Sequence, residues 1–367
     1  MVTIKDVARE AGVAISTVSK VLNGYAGVSE ETKRKVNDAT RKLNFVPNTI
    51  ASALSSKKAG RIALLIHMSF QTKARDEIDM QYISGAIHEA QKLHLDLVVT
   101  FFSMLQGKTD EEIIQYFQVQ NIEGIIIYGM TKDDEQIMRL ARSGAFKIVL
   151  VDVPVTDRHI SSVGVNHKEA QKDVALRTLR ENKSDSLLYI TGNDNSYAAQ
   201  ERLEGIRELA KDKGYRLLIK NGDFFEKKAR AITLKYAHDY GVVACSSDLM
   251  AISAMRALTE LDIFRPVCGF DGLVLMGYAG KQMNTICQNF SDVSARALDE
   301  MEYLLGGGGG RRVYTPYRIE RMKYHDMIGV SPDDVTPFKK KIEEEKALEE
   351  AKKAKTAKGK KGGKANA

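Results

Sequence analysis

Two groups of residues in this chain have types and spacing suited to chemistry, and both point to binding rather than to catalysis. The first group stands at the ends of short apolar runs. His67 and Phe70 follow residues 62–66, Tyr128 follows 125–127, and Asp152 follows 148–151. Ser247 and Asp248 come after 242–245, Asp271 after Gly269-Phe270, and Gln288 to Phe290 after one more short run. Arg202 lies in the helical stretch behind 187–190. Carboxylates accept from paired hydroxyls, a guanidinium donates in a fixed plane, and a ring packs on a C–H face, so the set suits a hydroxyl-rich small ligand. Each residue alone also has a plainer role. Asp248 caps a helix, Asp271 makes a turn, Arg202 forms a solvated ion pair, His67 is a satisfied edge histidine, and Phe70, Tyr128 and Phe290 pack. Convergence on one cleft separates the two readings.

The second group lies in the first 58 residues. Lys5, Lys20, Lys33, Arg34 and Lys35 can neutralise phosphates and release counterions. Ile15 and Ser16 open a short helix. Ser16 can donate to or accept from a base edge, Ile15 can touch a thymine methyl, and Lys20 can reach a guanine or a phosphate. Thr17 and Ser19 are phosphate partners, Val18 and Leu22 are core, and the plain alternative for Ser16 is helix capping.

The elements around these residues follow from capping and periodicity. Thr3 with Asp6 predicts a capped helix. Ala8, Gly12 and Val13 predict a tight turn, and a second helix runs through Leu22 to a stop at Asn23-Gly24. Two short helices joined by a Gly-containing turn form a helix-turn-helix, whose second helix enters the major groove. Ser29 caps a third helix with Val36, Ala39, Thr40 and Leu43 on one face. From Arg61 the pattern changes to short apolar strands at 62–66, 95–100, 125–127 and 148–151, alternating with helices at 80–93, 111–118 and 134–141. It restarts after Asn182 with strands at 187–190, 217–219, 242–245 and 267–270 and helices at 198–213, 227–240 and 249–261. Such alternation predicts parallel sheets with helices on both faces, and ligands of such sheets sit beyond the carboxyl ends of the strands.

Bulk properties set the remaining bounds. The 367 residues are 43% hydrophobic with no Trp, enough for two or three domains. The apolar runs are too short to span a membrane, and the N-terminus has no export-signal core, so a cytoplasmic protein without a membrane partner is expected. Cys245, Cys268 and Cys287 lack metal-type spacing, so reduced thiols and no metal are expected. The absence of a Gly-rich phosphate loop, nucleophile elbow or metal cluster argues against an enzyme, and no cofactor is expected. Net charge is +7, with ten Lys/Arg against five Asp/Glu in residues 1–60 and eleven Lys against five Glu in 339–367. The middle is therefore acidic and is no nucleic-acid surface.

The chain is identified as resembling the lactose-repressor (LacI/GalR) family. The resemblance rests on the helix-turn-helix, Val18-Ser19-Lys20-Val21-Leu22-Asn23-Gly24, Val28-Ser29-Glu30-Glu31-Thr32, Phe45-Val46-Pro47-Asn48 and Ala51-x-x-Leu54. It continues more sparsely to about Gly329, through Gln200-Glu201-Arg202, Ser247-Asp248-Leu249-Met250-Ala251 and Gly269-Phe270-Asp271. The resemblance implies an all-α helix-turn-helix head joined to an α/β, type I periplasmic-binding-protein-like domain of two lobes, with crossovers returning to the first lobe after about Asn289. The implied divisions are 1–46 (head), 47–60 (hinge helix and linker) and 61–330 (effector binding and dimerisation); by composition, 331–367 reads as a Lys/Glu-rich, disordered tail, with an extra electrostatic DNA contact as the alternative. It implies a homodimeric transcription regulator of carbohydrate use. The partners would be a near-palindromic double-stranded operator and a small effector such as a sugar or sugar phosphate. DNA would be met by Thr3, Lys5, Ile15, Ser16, Thr17, Ser19, Lys20, Asn23, Asn48, Ala51 and Leu54, with Leu54 as a minor-groove wedge. Positions matching Asp152, Arg202, Ser247 and Asp271 would line the effector pocket. A protein co-regulator in place of the small effector, or a sugar-binding protein with no regulatory role, remain alternatives.

Several positions depart from the family pattern. Ala14 replaces the usual capping Ser, and Ser52 and Ser55 stand where basic residues are common. The segment 261–267 is short, which bears on the geometry around Asp271. Five glycines at 306–310 are expected to form a flexible loop.

Overall fold

The computed structural model describes residues 2–22, 27–45, 60–67, 73–322 and 340–343. The chain divides into two compact units, Met1–Gly60 and Arg61–Ala367. Asn23, Asn48, Ala51, Leu54 and Phe70, with most of the hinge and tail, lie outside the described residues.

The first unit holds helices Ile4–Ala11, Ile15–Leu22 and Glu30–Lys42. Asp6 starts the first helix by accepting from the Thr3 N–H at 2.9 Å and from its hydroxyl at 2.7 Å. Gly12 takes φ +65°, a conformation costly for other residues, and the Val13 N–H closes the turn on the Ala8 carbonyl at 3.1 Å. The Ala14 carbonyl accepts from Thr17 and Val18, so the second helix begins on backbone bonds without a side-chain oxygen there. Ser29 caps the third helix by accepting from the Thr32 N–H at 3.3 Å. Val7, Ala8, Val18, Val36 and Ala39 form the core, as the periodicity requires.

The second unit contains two six-stranded sheets. The first has the order β11-β5-β4-β3-β1-β2, all parallel, from β1 Arg61–Ile66, β2 Asp96–Phe101, β3 Ile122–Tyr128, β4 Lys147–Val151, β5 Ile160–Val165 and β11 Arg312–Thr315. The second has the order β12-β10-β9-β8-β6-β7, from β6 Ser186–Thr191, β7 Arg216–Asn221, β8 Val242–Cys245, β9 Val267–Cys268, β10 Asn284–Cys287 and β12 Arg318–Arg321. Only β12 runs antiparallel to its neighbour among these strands. Each sheet is covered by apolar clusters on both faces, which explains strands that are apolar throughout rather than alternating.

Three features differ from the sequence expectation. Strand β5 and helix His167–Glu181 were not anticipated, because Ser161, Ser162 and Gly164 interrupt the apolar run. Strand 267–270 shrinks to Val267–Cys268, with Asp271 joined to Cys287 by an isolated bridge. The glycine run, expected as a flexible loop, holds one tightly packed backbone position. A Cβ on Gly310 would lie 2.0 Å from the Asp157 carbonyl oxygen and 2.1 Å from that of Ile160, so the bare backbone threads a tight gap.

The return crossover appears as expected. Helix Phe290–Leu305 packs into the first-lobe core against helix Lys73–Leu93. Their closest approach needs Gly85, where a Cβ would stand 2.2 Å from the Ser291 carbonyl oxygen. Gly85→Ala is expected to destabilise the second unit by about 1–3 kcal/mol through overpacking, read from denaturant melts. An unchanged midpoint would show that the helices separate freely.

Candidate functional site

In the first unit the second helix divides by exposure. Ile15, Ser16 and Lys20 are exposed, Thr17 and Ser19 half-buried, and Val18 is fully buried. Ile15 is an apolar side chain 45% exposed at the start of a helix, in place to meet a partner surface. Thr3, which caps the first helix, and Lys5 within it are also exposed. Lys33 and Lys35 hold Glu30 and Glu31 at 2.6 and 2.7 Å, so those two cations are partly neutralised within the chain.

In the second unit a continuous polar ladder crosses from one lobe to the other. Asp152 follows β4 in the left-handed region, φ +60°, and a Cβ on Gly164 of the neighbouring strand would meet its Oδ1 at 2.2 Å. The Tyr82 hydroxyl donates to Asp152 Oδ2 at 3.3 Å, and His167 Nε2 lies 2.8 Å from Oδ1. Arg202 Nε donates to His167 Nδ1 at 3.3 Å, and its Nη1 donates to the Ser246 carbonyl at 2.6 Å. The same Nη1 stands 3.7 Å from Asp271 Oδ1, which accepts from Gln288 Nε2 at 3.3 Å. The guanidinium carbon lies over the Phe270 ring, 3.6 Å from its centre. Tyr82 also completes an aromatic wall, 4.8 Å from the Tyr128 ring and 5.2 Å edge-on to Phe290.

Asp248 sits behind the ladder with no exposure, accepting from the Gly272 and Leu273 N–H groups at 2.8 Å each and from Thr285 at 2.6 Å. It thereby pins the turn that carries Asp271. The helix-capping role belongs to Ser247, whose hydroxyl accepts from the Met250 N–H.

The electrostatics follow the partners. Burial opposes charge on Asp152, but His167, Arg202 and the Tyr82 hydroxyl together hold its carboxyl below the ordinary range. Burial pushes the Asp271 carboxyl up; Arg202 pulls it back only in part, and Asp248 adds repulsion. Burial also raises Asp248 against its three donors. The Tyr82 phenol is pushed well up by burial and by Asp152.

The structure thus joins Asp152, Arg202, Asp271 and Gln288, with Phe290 reaching them through Tyr82. His67 lies apart from the ladder, and Tyr128 meets it only through its ring beside Tyr82. His67 stacks on Phe102 at 4.9 Å and stands 3.5 Å from Asp134. Tyr128 turns its hydroxyl to Ser294 at 2.6 Å. Sequence reasoning missed His167 and Tyr82. The strand-end rule finds His167 once β5 is known, whereas Tyr82, inside a helix, carries no such signal. Among the described residues no metal-type cluster occurs, and no helix is long and apolar enough to cross a membrane.

Comparison with known proteins agrees with this architecture. Bacterial regulatory proteins of the lacI family match residues 3–48, and a periplasmic binding protein domain matches residues 69–309. Catabolite control protein A of Staphylococcus aureus is 26% identical over 313 residues, covering 80% of this chain and 89% of that protein. Its counterpart in Staphylococcus epidermidis is 25% identical over 340 residues, covering 87% and 98%. The lac repressor dimer bound to operator and the anti-inducer ONPF has a TM-score of 0.71 at 22% identity, covering 88% of this chain and 98% of its own. The transcriptional regulator CelR in complex with cellobiose has a TM-score of 0.63 at 22% identity, covering 88% and 100%. With a helix-turn-helix head and a two-lobed domain in the matching order, the chain belongs to the lacI family of bacterial regulatory proteins.

Proposed function

We propose that this protein is an effector-controlled, sequence-specific DNA-binding regulator of transcription, a repressor of carbohydrate-use genes. In this reading it acts in the cytoplasm as a homodimer and is not an enzyme. The observation that carries the effector half is the ladder from Asp152 through His167 and Arg202 to Asp271 and Gln288, which spans both lobes at the strand ends. A ligand seated there touches groups from both lobes and favours one lobe arrangement. Any difference in operator affinity between arrangements is then linked to ligand binding, reciprocally. The DNA half rests on exposed Ile15, Ser16 and Lys20 on the second helix of the head. Asn23, Asn48, Ala51 and Leu54 extend the proposed contact set, and Ser247, His67, Phe70, Tyr128 and Phe290 complete the proposed ligand surroundings.

Operator assignment in the relatives supports the reading, since the lac repressor is solved as a dimer on its operator and CelR with cellobiose. The test is selection of bound fragments from a random DNA pool, followed by challenge of the complex with sugars and their derivatives. A near-palindromic site whose occupancy shifts with one compound is the expected result. No enriched site at moderate salt would overturn the DNA half.

A further inference from the structure

A second set of contacts joins the two lobes, separate from the ladder and carried by a different pair of loops. Residues 131–134 lie in the loop after β3 of the first sheet, and residues 193–196 in the loop after β6 of the second. The Lys132 N–H donates to the Asn195 carbonyl at 2.9 Å, and the Asn195 side-chain amide donates back to Asp133 Oδ2 at 2.6 Å. The Lys132 ammonium donates to Gln200 Oε1 and lies 5.7 Å from the centre of the Tyr197 ring. Tyr197 opens helix Tyr197–Lys213 of the second lobe, yet it packs against an apolar cluster of the first.

Each loop is shaped by its own lobe. Asp134 accepts from the Thr131 N–H at 2.7 Å and from its hydroxyl at 2.8 Å. Asn193 accepts from the Asn195 N–H at 2.7 Å and donates to Asp223 at 2.8 Å, while Gln200 Nε2 donates to the Asp194 carbonyl at 2.9 Å. Loops ordered in this way lose little further conformational entropy when they meet. Their position also gives them leverage. The chain crosses between lobes after β5, β10 and β11. The sheet orders place β3 two strands from β5 and β6 three strands from β10, about 10 and 14 Å at roughly 4.8 Å per strand. Arg312 Nη2 also joins the lobes, donating to both Glu201 carboxylate oxygens at 2.6 and 2.9 Å, but it does so from β11, beside a crossover. Rotation about the crossovers moves that pair least and the two loops more.

We propose that the loops after β3 and β6 form a clasp that holds the lobes together in the ligand-free protein. Lys132, Asp133, Asn195 and Tyr197 are its working parts, and they set how often the lobes separate. A ligand that touches both lobes then meets an arrangement already populated, and its affinity is not reduced by a scarce competent state. The clasp also gives His67 a place. That residue lies apart from the ladder but 3.5 Å from Asp134, which shapes the loop carrying Lys132 and Asp133. The proposal holds whatever the cleft binds.

Pulsed electron paramagnetic resonance between spin labels on Met104→Cys and Lys227→Cys reads the lobe arrangement directly. Both positions are exposed, and they follow β2 and β7, the ends of the two sheets away from the crossovers. The half-buried Cys287 is changed to Ser, whereas Cys245 and Cys268 are buried and stay. Full-length labelled chain, diluted with unlabelled chain so that only distances within one chain are read, is measured with no ligand added. The parent should show one narrow distance, with longer separations in at most about a tenth of the molecules. Asn195→Ala with Tyr197→Ala should raise the longer population to about a half. Lys132→Ala with Asp133→Ala breaks the clasp from the first lobe and should do the same, which keeps the test open if the first pair fails to fold. A broad or split distribution in the parent overturns the clasp, and so does a parent-like distribution in a folded variant of either pair. Either failure leaves the proposed regulatory function standing, because that rests on the ladder and the head.

Discussion

Replacing Arg202 by Met abolishes the ligand response of operator binding and lowers the melting temperature of the ligand-free protein by roughly 10 °C. The size follows from what the guanidinium holds. It is 5% exposed, donates to His167 and to the Ser246 carbonyl, lies over Phe270 and stands beside Asp271. Met fills much of the volume but leaves Asp152 and Asp271 buried without a cation. Breaking a buried pair by removing one partner typically costs about 3–5 kcal/mol. Arg202→Lys should recover little, because a single ammonium cannot reach Nε and Nη1 partners in one plane. Thermal melts, with operator binding followed as ligand is added, measure both effects. A variant that melts like the parent and still releases or gains operator with ligand would remove Arg202 from the centre of the site.

How much of this was legible in the sequence depends on where the determining signal lies. Helix caps and apolar runs are local, so the three head helices and the eight strands and six helices named in the second unit could be placed from Thr3, Ser29 and the runs themselves. Strand β5 could not, because its burial comes from neighbours on both sides rather than from its own composition, and its serines are satisfied in the fold. Ser162 donates to the Val153 carbonyl at 2.7 Å, and Ser161 donates to Glu300 at 2.9 Å. Losing β5 also hid His167, the residue that connects the two lobes. Among site residues, strand-end position found Asp152, Asp271 and Gln288, because the carboxyl ends of parallel strands converge. The same rule also marks Tyr128, whose ring belongs to the wall and whose hydroxyl serves Ser294. It was blind to Tyr82, which a helix presents from the side. Within the glycines at 306–310, which read as flexible, Gly310 is required by close backbone contact, a constraint that no local pattern announces.

Asp271 connects the site to stability through pH, and the sign is fixed by the direction of its shift. A carboxyl raised in the folded protein binds its proton more tightly there than in the unfolded chain. The associated stability is full below the ordinary carboxylate range and is lost as pH rises toward the folded value, at about 1.4 kcal/mol per unit between the two. Asp248 shifts the same way and adds to the loss. Asp152 is depressed, so its contribution is present above the ordinary range and fails only as pH falls through its folded value. Ligand-free protein should therefore be most stable in mild acid and lose stability toward pH 8, and Asp271→Asn should flatten much of that decline. Melts from pH 4 to pH 9, compared for the two proteins, decide it. A parallel decline in the variant would mean that Asp271 is not the group responsible. If the decline does flatten, the ionisation of the buried Asp271 carboxyl is what costs the folded protein its stability as pH rises.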